Sequence, residues 1–174
     1  MDKPKVHCAY DEMVDITKLV PNPRNPNQHS DRQIELLAKI IKHQGWRVPI
    51  TVSKRSGFVV RGHGRLQAAE ILGLEKVPVD YQDYENEAEE WADLIADNRI
   101  AELSEMDNTM LKNLLQEIDT GAIDMELTGF TEDELESLMT EINIDDFFRV
   151  HEETPNERKE VPKTCPHCGR PIEK

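Results

Sequence analysis

Four consecutive residues, Gly62-His63-Gly64-Arg65, combine the groups from which a phosphate site can be built. Two glycines let backbone N–H groups come close to an anion. Arg65 can reach the same oxyanion with two parallel hydrogen bonds. His63, between the glycines, can donate to a phosphate oxygen or act as a general acid or base. The apolar run FVVR (58–61) precedes this turn and RLQAAEIL (65–72) follows it. The turn therefore leads from a strand into a helix N-terminus, whose dipole favours negative charge. Taken alone, the same four residues also suit an ordinary strand–helix junction with a surface arginine.

A second group with metal chemistry lies near the C-terminus. Cys165 and Cys168 in TCPHCGRPI form a C-x-x-C pair with Pro and Gly around it. Two such thiolates suit one tetrahedral zinc ion, yet they are half of a four-ligand site. His167 or His151 could complete it, or a second chain's pair, which would make a homodimer; otherwise the thiols stay free. The sequence contains no P-loop, no H-E-x-x-H and no G-x-S-x-G. Trp46 beside Arg47 could stack on a base, although a tryptophan at a helix–strand junction is more often core.

The elements that must position these residues are legible from local signals. VDITKLV (14–20) reads as a short β run stopped by Pro21. NPRNPN (22–27) reads as an ordered loop. Ser30 opens a helix with Gln33 at the capping-box position and Ile34, Leu37, Ala38 and Ile41 on one face, and Gly45 ends it. PITVSK (49–54), FVVR and VPVDY (77–81) read as strands. Residues 85–142 read as helical, with Trp91, Leu94 and Ile95 marking one apolar face. Met110, Leu111, Leu114, Leu115 and Ile118 mark another. Asp107 is an N-cap, and Thr131 with Glu134 forms a capping box. Residues 145–174 read as linker and tail. Strands interleave with short helices in the first region, so it is α/β or α+β, and helices alone follow.

The chain has 174 residues and a formal charge of −14, carried very unevenly. Residues 1–82 are net +4, 83–146 net −19 and 147–174 net +1. The middle block would repel a polyanion, while the first could meet phosphates. No apolar stretch approaches a membrane span, and MDKPKVHCAYDE has no apolar leader core, so a cytoplasmic protein without membrane contacts is expected.

The ordered set Asn22-Pro23, Gly45, Pro49-Ile50-Thr51-Val52, Gly62-His63-Gly64-Arg65, Ala68-Ala69 and Val77-Pro78-Val79 resembles the N-terminal domain of the ParB family, which shares its fold with sulfiredoxin. The likeness spans roughly residues 12–103. It implies a ParB/sulfiredoxin-like nucleotide-binding domain there, and the residues beyond it read as an acidic helical extension over 104–144 and a linker with a zinc-knuckle tail over 145–174. It also implies a nucleoside triphosphate, CTP or ATP with Mg²⁺, whose phosphates meet Gly62, His63, Gly64 and Arg65. LIADNRIAEL (94–103) resembles the family's next helix, so Asp97 and Asn98 would form the metal-side pair. Asn25, Asn27 and Gln44 are candidates for ribose or base contacts.

Two departures qualify the likeness. Ala101 stands where the family carries an arginine, and Arg99 lies two positions away, rotated by about 200° on a helix. His63 stands where sulfiredoxin carries its cysteine, so sulfinic-acid reduction is not expected. Thr128-Gly129-Phe130-Thr131 and Glu134-Leu135 resemble the tail of phage-type ParB-like domains that accompany DNA methyltransferases. The expected function is a nucleotide-binding module in phage or mobile-element DNA metabolism, with DNA or a DNA-modifying protein as partner. The −19 block argues against sequence-specific duplex binding. An alternative makes the same site an enzyme, a nucleotide hydrolase, small-molecule kinase or metal-dependent nuclease, with His63 as its catalytic acid or base. A third reading keeps the fold and binds protein partners through the acidic helices.

Overall fold

The computed structural model describes residues 3–140. The expected zinc pair Cys165 and Cys168, and the linker before it, lie outside the described residues. Of these, the residues up to Met139 cluster as one unit.

Five strands form one mixed sheet: β1 (Glu12–Asp15), β2 (Val20–Pro21), β3 (Ile50–Ser53), β4 (Phe58–Arg61) and β5 (Lys76–Gln82), in the order β1-β5-β3-β4-β2. β1 runs antiparallel to β5 and β3 antiparallel to β4, while β3 is parallel to β5 and β2 to β4. Pro21 lacks an N–H, which an edge strand such as β2 tolerates. The expected β run over 14–20 is broken in two. Asp15 accepts hydrogen bonds from the Thr17 N–H (2.9 Å) and hydroxyl (2.6 Å), and this local cap turns Ile16–Lys18 into a 3-10 segment.

Helices α1 (Asp31–Gln44) and α2 (His63–Ile71) pack on each other and on one sheet face. Pairing of Ile50 with Val79 and of Val52 with Tyr81 puts Ile50, Val52, Val77 and Val79 on that face. With Ile34, Ala38, Ile41, Leu66, Ala68 and Ala69 they form the core. Trp46 belongs to the same core at 2% exposure, so its indole cannot stack on a base.

Helix α3 (Glu87–Glu102) meets β4 and Ser53, whose register puts it on the sheet's other face. Of its expected apolar face, Leu94 is buried and Ile95 is 54% exposed. Helix α4 (Asn108–Ile118) is capped by Asp107 as expected, but of its apolar positions only Leu115 is fully buried. A 3-10 segment, Met125–Thr128, and α5 (Glu132–Thr140) follow. The Thr131–Glu134 box closes reciprocally. Salt bridges from Lys39 to Asp124 and Glu126, and from Arg32 to Glu134, tie this acidic region back to α1. No helix among the described residues is long and apolar enough to cross a membrane.

A candidate phosphate-binding site

Residue 62 must be glycine for two reasons. Its φ of +91° lies in the left-handed region, and a Cβ there would sit 2.9 Å from Arg65 Nη2. Residue 64 must be small because a Cβ would stand 3.0 Å from Leu37 on α1. These two approaches bring α2, α1 and the Arg65 guanidinium together. Gly62 caps α2 without any side-chain hydrogen bond, so the helix's first N–H groups stay open. Gly62→Ala is expected to cost about 1–2 kcal/mol from the left-handed backbone alone. Urea unfolding reads this directly, and a wild-type midpoint would show that the turn relaxes freely.

Arg65 is the unusual charge of the molecule. Its Nη2 donates to the Pro49 carbonyl at 3.2 Å, while its buried Nε has no partner. Burial pushes the guanidinium's pKa down, against the opposing pull of Asp97 and Cys8. An arginine nevertheless stays protonated. A desolvated cation with an unused donor is costly in a protein without a ligand.

His63, expected as an acid or base, is a buried hydrogen-bond acceptor in this structure. Its Nε2 accepts the Asn22 N–H at 3.2 Å, and its ring is 9% exposed. Burial first, then the nearby His29, pushes its pKa down from 6.5 to about 4, with Asp97 opposing. The ring is thus neutral at pH 7, Nε2 has no proton to give, and its lone pair is engaged. It pins the 22–30 loop against α2. Because the folded value lies below the unfolded one, this stabilisation is complete above about pH 6.5 and is lost as the pH falls toward 4. The full shift corresponds to about 3 kcal/mol. In His63→Gln the fall in urea midpoint between pH 6.5 and 4.5 should be shallower than in wild type; parallel curves would sink the assignment.

α3 supplies the opposite wall. Arg61 at the end of β4 holds Asp93 with both Nε (3.0 Å) and Nη2, and Tyr84 donates its hydroxyl to the same carboxylate at 2.7 Å. Burial raises the Asp93 pKa, but these hydrogen bonds outweigh it and hold the carboxyl below its usual range. One turn on, Asp97 lies 3.7 Å from Arg61 Nε. Asn98 donates Nδ2 to the Leu94 carbonyl at 3.3 Å. Arg24 of the loop stacks over Trp91 of α3, 4.4 Å from its ring centroid.

The resulting cavity is about 180 Å³. Among its lining residues are Gly62, His63, Gly64, Arg65, Asp97, Asn98 and Asn25, all expected at the site. Gln44 sits at the far end of α1 and does not line it. Arg99 turns to Glu102 on its own helix at 2.8 Å and does not line it either. His29 and Gln33 do line it, and neither was singled out for chemistry. Gln33 reads in sequence as a helix cap. Its N–H does bond Ser30, but its side-chain oxygen lies 3.0 Å from His29 Nδ1. Among the described residues, no three His, Cys, Asp or Glu side chains converge as metal ligands.

Comparison with known proteins agrees with this architecture. Residues 3–99 match the family model described as the ParB N-terminal domain, and residues 109–167 match the ParB-methyltransferase HTH domain. The second match sets a helix-turn-helix family on the block whose charge argues against a duplex surface. A protein of Escherichia coli (strain K12), ParB-like nuclease domain-containing protein YnaK, is 38% identical over 64 residues, 37% of this chain and 72% of the relative. The C-terminally truncated chromosome-partitioning protein ParB from Caulobacter crescentus, complexed with CTP-gamma-S, superposes with a TM-score of 0.61 at 18% identity, covering 80% of this chain and 83% of that one. Sulfiredoxin from Arabidopsis thaliana aligns over 42% of this chain and 84% of its own, with a TM-score of 0.38 and 20% identity.

Proposed function

The chain belongs to the ParB N-terminal domain family, and from that premise we propose that it is a nucleotide-binding module of phage or mobile-element DNA metabolism, with nucleoside triphosphate phosphates held at Gly62–Arg65. The observation that carries this reading is Arg65, a desolvated guanidinium with an unused Nε beside the open N-terminus of α2. An oxyanion entering the cavity would meet the arginine and the helix N–H groups together. At about 180 Å³ the cavity is smaller than the roughly 300 Å³ or more of a typical small-molecule pocket. It suits phosphates, leaving ribose and base outside, where Asn25 on the loop wall is the proposed contact.

Asp97 and Asn98 suit a Mg²⁺ ion that arrives with the phosphates, since this ion commonly combines one or two carboxylates with phosphate oxygens and water. It would neutralise phosphate charge. His63 would act by positioning the loop. The Caulobacter protein's ligand makes CTP the first nucleotide to try. The helix-turn-helix match supports a partner that is DNA or a DNA-modifying protein. Zinc on Cys165 and Cys168 is a separate proposal, checked by the metal content of the purified chain.

The test is calorimetric titration with CTP, ATP and GTP, each with and without Mg²⁺. Binding of a triphosphate supports the reading, and its absence for all three overturns it. A second reading, a hydrolase or nuclease on the same site, is favoured by the name of the E. coli relative. Phosphate release or DNA cleavage in the same samples would separate it from a binding module.

A further inference from the structure

The cavity is lined by two imidazoles, and they offer different ring nitrogens to it. His63 is buried, with Nε2 engaged by the Asn22 N–H. His29 stands just before the Ser30 cap, partly exposed, on the cavity's loop wall. Its ring lies over the first turn of α2: a Cβ on Gly64 would be 3.3 Å from His29 Cε1 and 3.4 Å from Nδ1. Its Nδ1 is 3.0 Å from the Gln33 side chain, and among the described residues its Nε2 makes no hydrogen bond.

We propose that His29 is the imidazole that contacts the bound phosphate, through Nε2, and that Gln33 positions its ring. This rests on the phosphate reading above and adds a ligand-binding residue to it. The chemistry of the pair supports it. A side-chain amide can turn either its oxygen or its NH₂ group toward an imidazole nitrogen. With the NH₂ facing Nδ1, the neutral ring carries its proton on Nε2 and becomes a donor suited to an oxyanion. A carboxylate in place of Gln33 would lack that option. The same pairing explains why Gln33 leaves its capping box half closed: its N–H bonds Ser30, while its side chain serves His29. The α1 side of the cavity thereby contributes a donor opposite in origin to Arg65, which comes from α2.

The experiment titrates inorganic tripolyphosphate, then CTP and ATP, into wild type, Arg65→Ala, His29→Ala, Gln33→Ala and the His29→Ala/Gln33→Ala double variant. His29→Gln serves as a second variant, and urea midpoints confirm that each protein is folded. His29→Ala should weaken tripolyphosphate binding about tenfold, as expected for one hydrogen bond to a charged group. Gln33→Ala should weaken it less. In the His29→Ala background, Gln33→Ala should have no further effect, because a positioning residue has nothing left to position. An additional loss in that background would overturn the role given to Gln33. Wild-type affinity in His29→Ala and His29→Gln, with binding lost in Arg65→Ala, would overturn the contact and leave the phosphate reading standing. No binding by wild type would overturn both.

Discussion

Arg65→Ala is expected to weaken triphosphate binding by at least about 30-fold while leaving the fold as stable as before, or slightly more so. The two halves have one cause. A buried charge-assisted hydrogen-bond partner of a ligand, once removed, costs about 2–5 kcal/mol of binding, which is more than a factor of ten at its smallest and thousands at its largest. In the protein without ligand the same guanidinium is a burden. It is desolvated, donates to the Pro49 carbonyl, and leaves Nε unpaired. Removing it relieves that cost, and the loss of one hydrogen bond offsets about 1 kcal/mol of the gain. Calorimetry with CTP and ATP reads the first half and urea unfolding the second. Unchanged affinity would remove Arg65 from the site. A large fall in stability with affinity preserved would make it a structural arginine.

Glu90→Ala should be the most destabilising single change among the polar residues described. Glu90 is 0% exposed, yet it sits in the first turn of α3 on the sheet's outer face. Its Oε2 accepts from the Ser53 hydroxyl (2.8 Å) and Arg55 Nε (3.1 Å), and its Oε1 accepts from the Ser56 hydroxyl (2.7 Å). The Ser53 hydroxyl in turn accepts the N–H groups of Arg55 and Ser56. One carboxylate therefore organises the β3–β4 turn and fastens α3 to it. Alanine would leave two hydroxyls and a cation without their shared carboxylate, a loss of about 3–5 kcal/mol. That is a large part of the roughly 5–15 kcal/mol that holds a domain of this size together. Glu90→Gln keeps the shape and should cost less. The urea midpoint distinguishes these, and a loss below about 1 kcal/mol in the alanine variant would show that the turn holds itself. The site should feel the change too, since Asp97 and Asn98 ride on the same helix two turns on.

Both residues show where sequence reading reached its limit. Arg65 is legible because everything it needs is adjacent in the chain: a strand, two glycines and a helix start within a few positions. Glu90 is not, because it is one acid among several in ENEAEEWADL, and nothing local says which of them turns inward. The apolar pattern of that helix misleads as well, since Leu94 is buried and Ile95 lies in water. Helix α3 packs through a polar clamp as much as an apolar stripe, and periodicity sees only the stripe. Gln33 is a third case. Its spacing from Ser30 satisfies a capping box, and only the position of His29 shows that the side chain has another partner.

Local chemistry in the chain was sufficient for the punctuation of the fold: the Ser30, Asp107 and Thr131 caps, the glycine turns, the strands around GHGR and the family they resemble. Each of these depends on residues within a few positions, whose backbone preferences act before any tertiary contact forms. Burial and partner choice depended on the folded protein alone. His63 could read as acid, base or scaffold until the loop placed the Asn22 N–H on its Nε2 and excluded water. Charge, tautomer and hydrogen-bond role are set by desolvation and by groups 41 residues away in sequence, and these come together only when α1, α2, α3 and the loop close around one small cavity.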